Sequence, residues 1–235
     1  MSELDDFYSL VADLRARCGG ERQLAKCDGR MSWPERGVYL FFEEGEIRPN
    51  GEPRVVRVGT HALTAASRTT LSKRLSQHRG NVGGGRPGGG NHRGSIFRLH
   101  VGQCLLARDD DPYGVLGTWG DKATAATSVR HGEYPHEAAV SSYIGQMPFL
   151  WLPVLDDPGP DSARGVIEAG AIALLSRRSN PDADPSSEQW LGRWSSRATV
   201  RESGLWNVRH VDGPRSDVLL PILERHIRSA PPLIR

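Results

Sequence analysis

The residues with most chemistry to offer lie within the first third of the chain. Gly37-Val38-Tyr39 opens one apolar run, Arg57-Val58-Gly59 closes another, and Leu71-Ser72-Lys73-Arg74-Leu75-Ser76-Gln77-His78 follows. A phenol, guanidinium groups and an imidazole are the equipment of phosphodiester hydrolysis. One group orients or deprotonates a water, fixed positive charge meets the phosphoryl oxygens, and a further group relays a proton. A carboxylate for a hard divalent cation would complete the set, and Glu168 is the candidate.

Each type suits its post for a physical reason. A free phenol ionises near about pH 10, so Tyr39 needs nearby positive charge, which Lys73, Arg74 and Arg57 are able to supply. Arg74 never deprotonates and presents a planar fork to phosphate oxygens. His78 stands four residues after Arg74, so on a helix the two share a face. Taken singly, Tyr39 reads as a core aromatic, His78 as a surface histidine and Glu168 as a solvent-facing acid. The apolar Val166, Ile167, Ala171 and Ile172 around Glu168 narrow any exposed face.

These groups must be held by a hairpin and the helices that follow it. Gly37 to Glu43 and Arg54 to Val58 are β-rich runs joined by a turn-forming stretch, an antiparallel hairpin. Thr69 to His78 is a helix with Leu71 and Leu75 inward and a Ser or Thr cap. Phe149 to Val154 is a third strand whose proline suggests a sheet edge or a strand end. Residues 162–176 form a helix containing Glu168, residues 4–17 a leading helix that stops at Gly19-Gly20, and residues 218–227 a closing amphipathic one. Between the hairpin helix and the third strand, 95–107 and 135–145 read as helices around a loop holding Tyr113 and Trp119. Trp190, Trp194 and Trp206 suggest that the C-terminal region packs on the rest.

The expected fold class is α/β (α+β): a small, mostly antiparallel sheet of three strands flanked by helices. The expected organisation is an N-terminal extension over residues 1–35, a core over 36–180 with an insertion at about 80–147, and a C-terminal extension over 181–235.

The formal net charge is only +2, so any hold on a polyanion must be local. Arg68, Lys73, Arg74, Arg79, Arg86, Arg93 and Arg98 crowd one segment almost free of acids, a hint of a phosphate partner. Three cysteines, Cys18, Cys27 and Cys104, show no zinc spacing and read as reduced thiols. The acidic start and the lack of a long apolar run give the expectation of a soluble, cytoplasmic protein with no membrane partner.

Other signals weigh less. The glycine-rich run from Gly80 to Asn91 lacks a Gly-Lys-Ser/Thr ending and follows a helix, so a mobile loop is expected there in preference to a nucleotide cradle. His131, Glu133, His136 and Glu137 have metal-ligand spacing, but no cysteine accompanies them and a loop is expected around them. No Gly-x-Ser-x-Gly or nucleophilic cysteine setting is present.

In their order along the chain, these features resemble the GIY-YIG nuclease family. Gly37-Val38-Tyr39 matches the first signature strand, Arg57-Val58-Gly59 stands in place of the second, and Leu71, Arg74, Leu75 and His78 match the first helix. Glu168 and Ile172 match the later helix, and Asn180 follows it. The chain departs from the pattern at Arg57, where the second signature strand has a tyrosine. The resemblance implies a metal-dependent DNA endonuclease of stand-alone restriction or defence type. Its catalytic residues would be Tyr39, Arg57, Arg74, His78 and Glu168, with Glu168 holding one Mg2+ or Mn2+. Nucleic-acid contacts would come from Lys73, Arg79, Arg93, Arg98 and Asn180. A double-strand cut would need two sites, by a homodimer on DNA or by sequential nicking. Two other functions stay open: a catalytically silent nucleic-acid-binding protein that kept the fold, and a phosphate-ligand enzyme using the glycine-rich loop.

Overall fold

A computed structural model describes residues 2–80, 89–121 and 123–230. Helix α1 (Glu3–Cys18) begins at a capping box, in which the Ser2 and Asp5 side chains satisfy each other's backbone N–H groups. It buries Leu4, Phe7, Tyr8, Val11, Leu14 and Cys18 along one stripe. Gly19 ends it in the left-handed region at φ 68°.

Among the described residues the sheet has four strands, one more than expected. Strands β1 (Arg22–Gln23), β2 (Gly37–Ile47), β3 (Pro53–Gly59) and β4 (Pro148–Pro153) lie in the order β1-β4-β2-β3, with every pairing antiparallel. The additional strand is two residues long, Arg22 opposite Phe149 and Gln23 opposite Pro148, too short to carry an alternating pattern. Strand β4 is therefore internal, and its prolines fall at the two strand ends, where no ladder N–H is lost from the middle.

Alternation along β2 splits the core. Val38, Leu40 and Phe42 face α1, α5 (Ala163–Leu175) and α7 (Leu219–Ser229). Tyr39 and Phe41 face α2 (Leu71–Arg79), α3 (Ile96–Arg108) and α4 (Thr127–Gln146). Both faces of the sheet are covered there, which explains why β2 is apolar without a break from Val38 to Phe42 and why β4 is apolar throughout. A short helix α6 (Ala198–Ser203) and 3-10 turns at Leu24–Lys26, His92–Gly94 and Leu191–Trp194 complete the elements.

Helix α4 starts eight residues before the expected 135 and takes in His131, Glu133, His136 and Glu137, which are thus helical and not in a loop. Pro135 sits inside it, where the missing N–H breaks only one bond of the ladder. Among the described residues no group of three or more His, Cys, Asp or Glu is placed to hold a metal ion. Most of the expected glycine-rich loop, 81–88 with Arg86, lies outside the described residues. The chain leaves it at Gly80 and is back beside it at Gly89, whose carbonyl accepts the Ser141 hydroxyl at 3.0 Å.

The C-terminal region is tied to the sheet by buried polar groups. The Glu43 carboxylate on β2 accepts the indole N–H of Trp206 at 2.9 Å and of Trp190 at 3.2 Å. Along the open edge of β3, the Trp206 N–H donates to Val56 at 2.8 Å, and the Asn207 amide both accepts from Val58 N at 3.1 Å and donates to Val58 O at 2.7 Å. An edge that would otherwise expose its backbone is thereby closed. All three cysteines are free and buried, and no helix among the described residues is long and apolar enough to cross a membrane.

Candidate active site

The hairpin register places Tyr39 directly opposite Gly59 and Phe41 opposite Arg57. Both glycines of the two short motifs are required by close approach. A Cβ on Gly37 would lie 2.5 Å from the Leu152 carbonyl oxygen, and one on Gly59 would lie 2.5 Å from Tyr39 Cε2 and closer still to the phenol end. The Tyr39 ring therefore lies flat across Gly59, in the space a side chain would fill.

From that position the Tyr39 hydroxyl meets His78 Nε2 at 2.8 Å, and His78 Nδ1 meets Ser95 Oγ at 2.8 Å. Ser95 is the N-cap of α3, its hydroxyl also accepting the Arg98 N–H at 3.3 Å. The Thr70 N-cap starts α2 so that Leu71, Leu75 and His78 form its inward stripe. Tyr39 and His78 are both fully enclosed. Burial, reinforced by Arg74, Arg57 and Arg98, holds the imidazole well below its ordinary range, so His78 is neutral at physiological pH.

Arg57 projects from β3 on the same face as Tyr39. Its guanidinium stacks over Phe97 at 4.6 Å and donates to the Trp206 carbonyl at 3.0 Å. Its Nε is buried and meets no acceptor among the described residues. Burial lowers its pKa, while Tyr39 and Glu168 oppose that shift. Glu168 arrives from α5 on the other side of the sheet and reaches round the end of β3, where its Oε1 accepts the Thr60 N–H at 3.1 Å. The Thr60 hydroxyl in turn holds the Gly37 carbonyl at 2.8 Å. Burial raises the Glu168 pKa, and Arg57, the Thr60 N–H, His210 and Arg74 pull it back. Thr60 thus ties the start of β2, the end of β3 and the carboxylate of α5 together, a role for which its sequence carried no signal.

Five expected catalytic residues are thereby gathered at one end of the sheet. Tyr39, Arg57 and His78 are buried, while Arg74 and Glu168 are partly exposed. Arg74 donates to Gln77 at 3.0 Å.

The residues expected to grip nucleic acid divide differently. Lys73 is exposed on α2. Arg79 is partly buried and donates to the Cys27 carbonyl. Arg98 is not at the surface: it is fully enclosed, donating to the His78 carbonyl at 3.0 Å and to the Glu137 carboxylate. Arg93 forms a two-pronged pair with Glu133 at 2.6 and 2.9 Å. Asn180 is also inside, its amide donating to the Leu174 carbonyl at 2.7 Å and its oxygen accepting from Arg215 at 3.3 Å. Glu133 and Glu137 are distant in sequence from the basic segment, so its apparent lack of acids is undone by α4 packing against it.

Glu168 offers a hard cation one carboxylate with one oxygen engaged by Thr60. That donor set suits an ion such as Mg2+ that keeps most of its own waters, and does not suit zinc, which takes three or four nitrogen or sulfur ligands.

Comparison with known families agrees with this geometry. A family model described as a GIY-YIG domain matches residues 1–232. Neither a curated protein nor a solved structure matches the chain.

Proposed function

Since this chain belongs to the GIY-YIG family, a family of nuclease-type domains, we propose that it is a metal-dependent endonuclease that hydrolyses phosphodiester bonds of DNA. The observation that carries the reading is the pairing of Tyr39 with a neutral, enclosed His78 at 2.8 Å, beside Arg57 and next to the Glu168 carboxylate.

The roles follow from placement. In the tautomer whose Nδ1–H donates to Ser95, His78 Nε2 accepts the Tyr39 O–H and fixes its direction, so that the phenol oxygen, beside Arg57, is left to accept a hydrogen bond from the attacking water and orient it. Arg74, partly exposed and bonded to Gln77, turns its fork to the phosphoryl oxygens. Glu168 would hold the divalent ion, which when bound supplies Lewis-acid stabilisation of the departing 3′ oxygen. Lys73 and Arg68, both exposed, extend the cationic surface along the backbone of the duplex.

The absence of a second signature tyrosine and the enclosure of Tyr39 favour a competing reading, a nucleic-acid-binding protein that retained the fold without cleavage. Incubation with supercoiled plasmid and Mg2+ separates the two. The endonuclease nicks the plasmid, and Tyr39→Phe and Glu168→Ala each abolish nicking while plasmid binding persists. Binding without metal-dependent nicking by the unmodified protein refutes the enzyme, and nicking that survives both substitutions refutes the site. A restriction or defence role, with two copies meeting on the duplex for a double-strand cut, fits a single domain that presents one site per chain.

A further inference from the structure

His61 follows Thr60, the residue that anchors Glu168, and nothing above gives it a task. The residue is buried, 6% exposed. Nδ1 lies 2.9 Å from the Thr69 carbonyl, an acceptor only, so the proton is on Nδ1 and Nε2 carries a lone pair. Nε2 is buried and meets no donor among the described residues.

The backbone around it is built with unusual care. Ala62, the next residue, is buried at φ 58°, a left-handed conformation that a residue with a Cβ adopts only under strain. The fully enclosed Arg164 fixes this corner: it donates to the carbonyls of His61 at 3.4 Å, Ala62 at 3.2 Å, Asp157 at 3.3 Å and Val154 at 3.3 Å. The imidazole is thus aimed by a strained turn and a buried cation, beside the strand end that holds Glu168.

We propose that His61 is a further catalytic residue, whose Nε2 accepts a hydrogen bond from the water that attacks the phosphorus. The inference rests on the endonuclease reading above. Its logic is one of complementarity. A DNA strand presents acceptors around its phosphate, namely the phosphoryl, ester and sugar oxygens, so an unfilled acceptor has no partner there. The donor common to every phosphodiester hydrolysis is the water. Burial pushes His61 down to about 4, and the charges of Arg164, Arg74 and Arg36 add to it against the opposing bond to Thr69. The group therefore stays an acceptor at neutral pH.

The test uses His61→Asn and His61→Gln in the full chain. Asparagine keeps an N–H near the position of Nδ1 but has nothing at Nε2; glutamine places an amide oxygen near Nε2. With supercoiled plasmid and Mg2+, His61→Asn lowers kcat about 100-fold with plasmid affinity and melting temperature unchanged, and His61→Gln recovers part of the loss. In the free protein, the ring C–H protons of His61 show a nuclear Overhauser effect to a bound water. Wild-type kcat in His61→Asn, or no such effect, overturns the assignment while leaving the endonuclease standing. An unmodified protein that binds plasmid and never nicks it overturns both.

Discussion

Gly59→Ala tests the geometry at its tightest point. The new Cβ would lie 2.5 Å from Tyr39 Cε2, whereas carbon atoms rest at about 3.5 Å or more, so the ring must move by about 1 Å. It has nowhere to go: Phe41 lies edge-on at 5.7 Å between ring centroids, His78 at 5.5 Å, and Tyr39 is fully enclosed. A methyl forced into such a core costs about 1–3 kcal/mol, and a 1 Å displacement of a reacting group costs about 100-fold in rate. The assay is thermal unfolding together with plasmid nicking under saturating Mg2+. Gly132→Ala serves as the control, because that glycine is exposed on α4 with no atom near its would-be Cβ; it is expected to leave nicking alone and raise stability by about 0.5–1 kcal/mol. Equal melting temperatures and nicking rates for Gly59→Ala and the unmodified protein would refute the claim that Tyr39 is held against Gly59.

Three further outcomes are expected. Asn207→Ala removes two hydrogen bonds to Val58 and loosens the carbonyl that holds Arg57, costing about 1–3 kcal/mol in urea unfolding and lowering nicking more than plasmid binding. Glu137→Gln leaves the enclosed Arg98 without its counter-charge and costs about 3–5 kcal/mol in the same measurement, a loss a surface pair would not produce. Burial holds His100 at about 4, below the roughly 6.5 of the unfolded chain, so unfolding takes up a proton as pH falls through that window. Its share of stability is therefore present above about pH 6.5 and lost toward pH 4, about 2 kcal/mol by pH 5, and His100→Gln should flatten the pH dependence of the melting temperature.

How far the sequence could be read depended on the range of the interactions involved. Capping and stripes are local, so α1, α2, α5 and α7 were visible from the Ser or Thr ahead of α2, the stop at Gly19-Gly20 and the apolar spacing of their residues. Strand β1 was invisible because two residues have no period. The start of α4 was missed because Pro135 reads locally as a helix start, while the buried Glu133 anchors the turn before it and the packing of Val140 and Ile144 the turns after it. At the site, Tyr39 with His78 was legible, since a strand residue and an inward helix position are each fixed by periodicity. Thr60 and His61 were not, because their value lies in what their backbone and ring atoms meet from α5 and from Thr69.

The amino-acid sequence by itself determined the parts: an antiparallel hairpin with a phenol at its start, a helix presenting Arg74 and His78 on one side, and an apolar helix bearing one acid. Tertiary structure alone decided which charges are free. Arg93 and Arg98 look like phosphate ligands in the chain, yet Glu133 and Glu137 neutralise them, because helix packing joins residues some 40 positions apart. The same packing brings Glu168 round the sheet to Thr60 and closes the β3 edge with Asn207, contacts between residues about 110 and 150 positions apart. A charge is worth what surrounds it, and burial and pairing are properties of the fold and not of the residue.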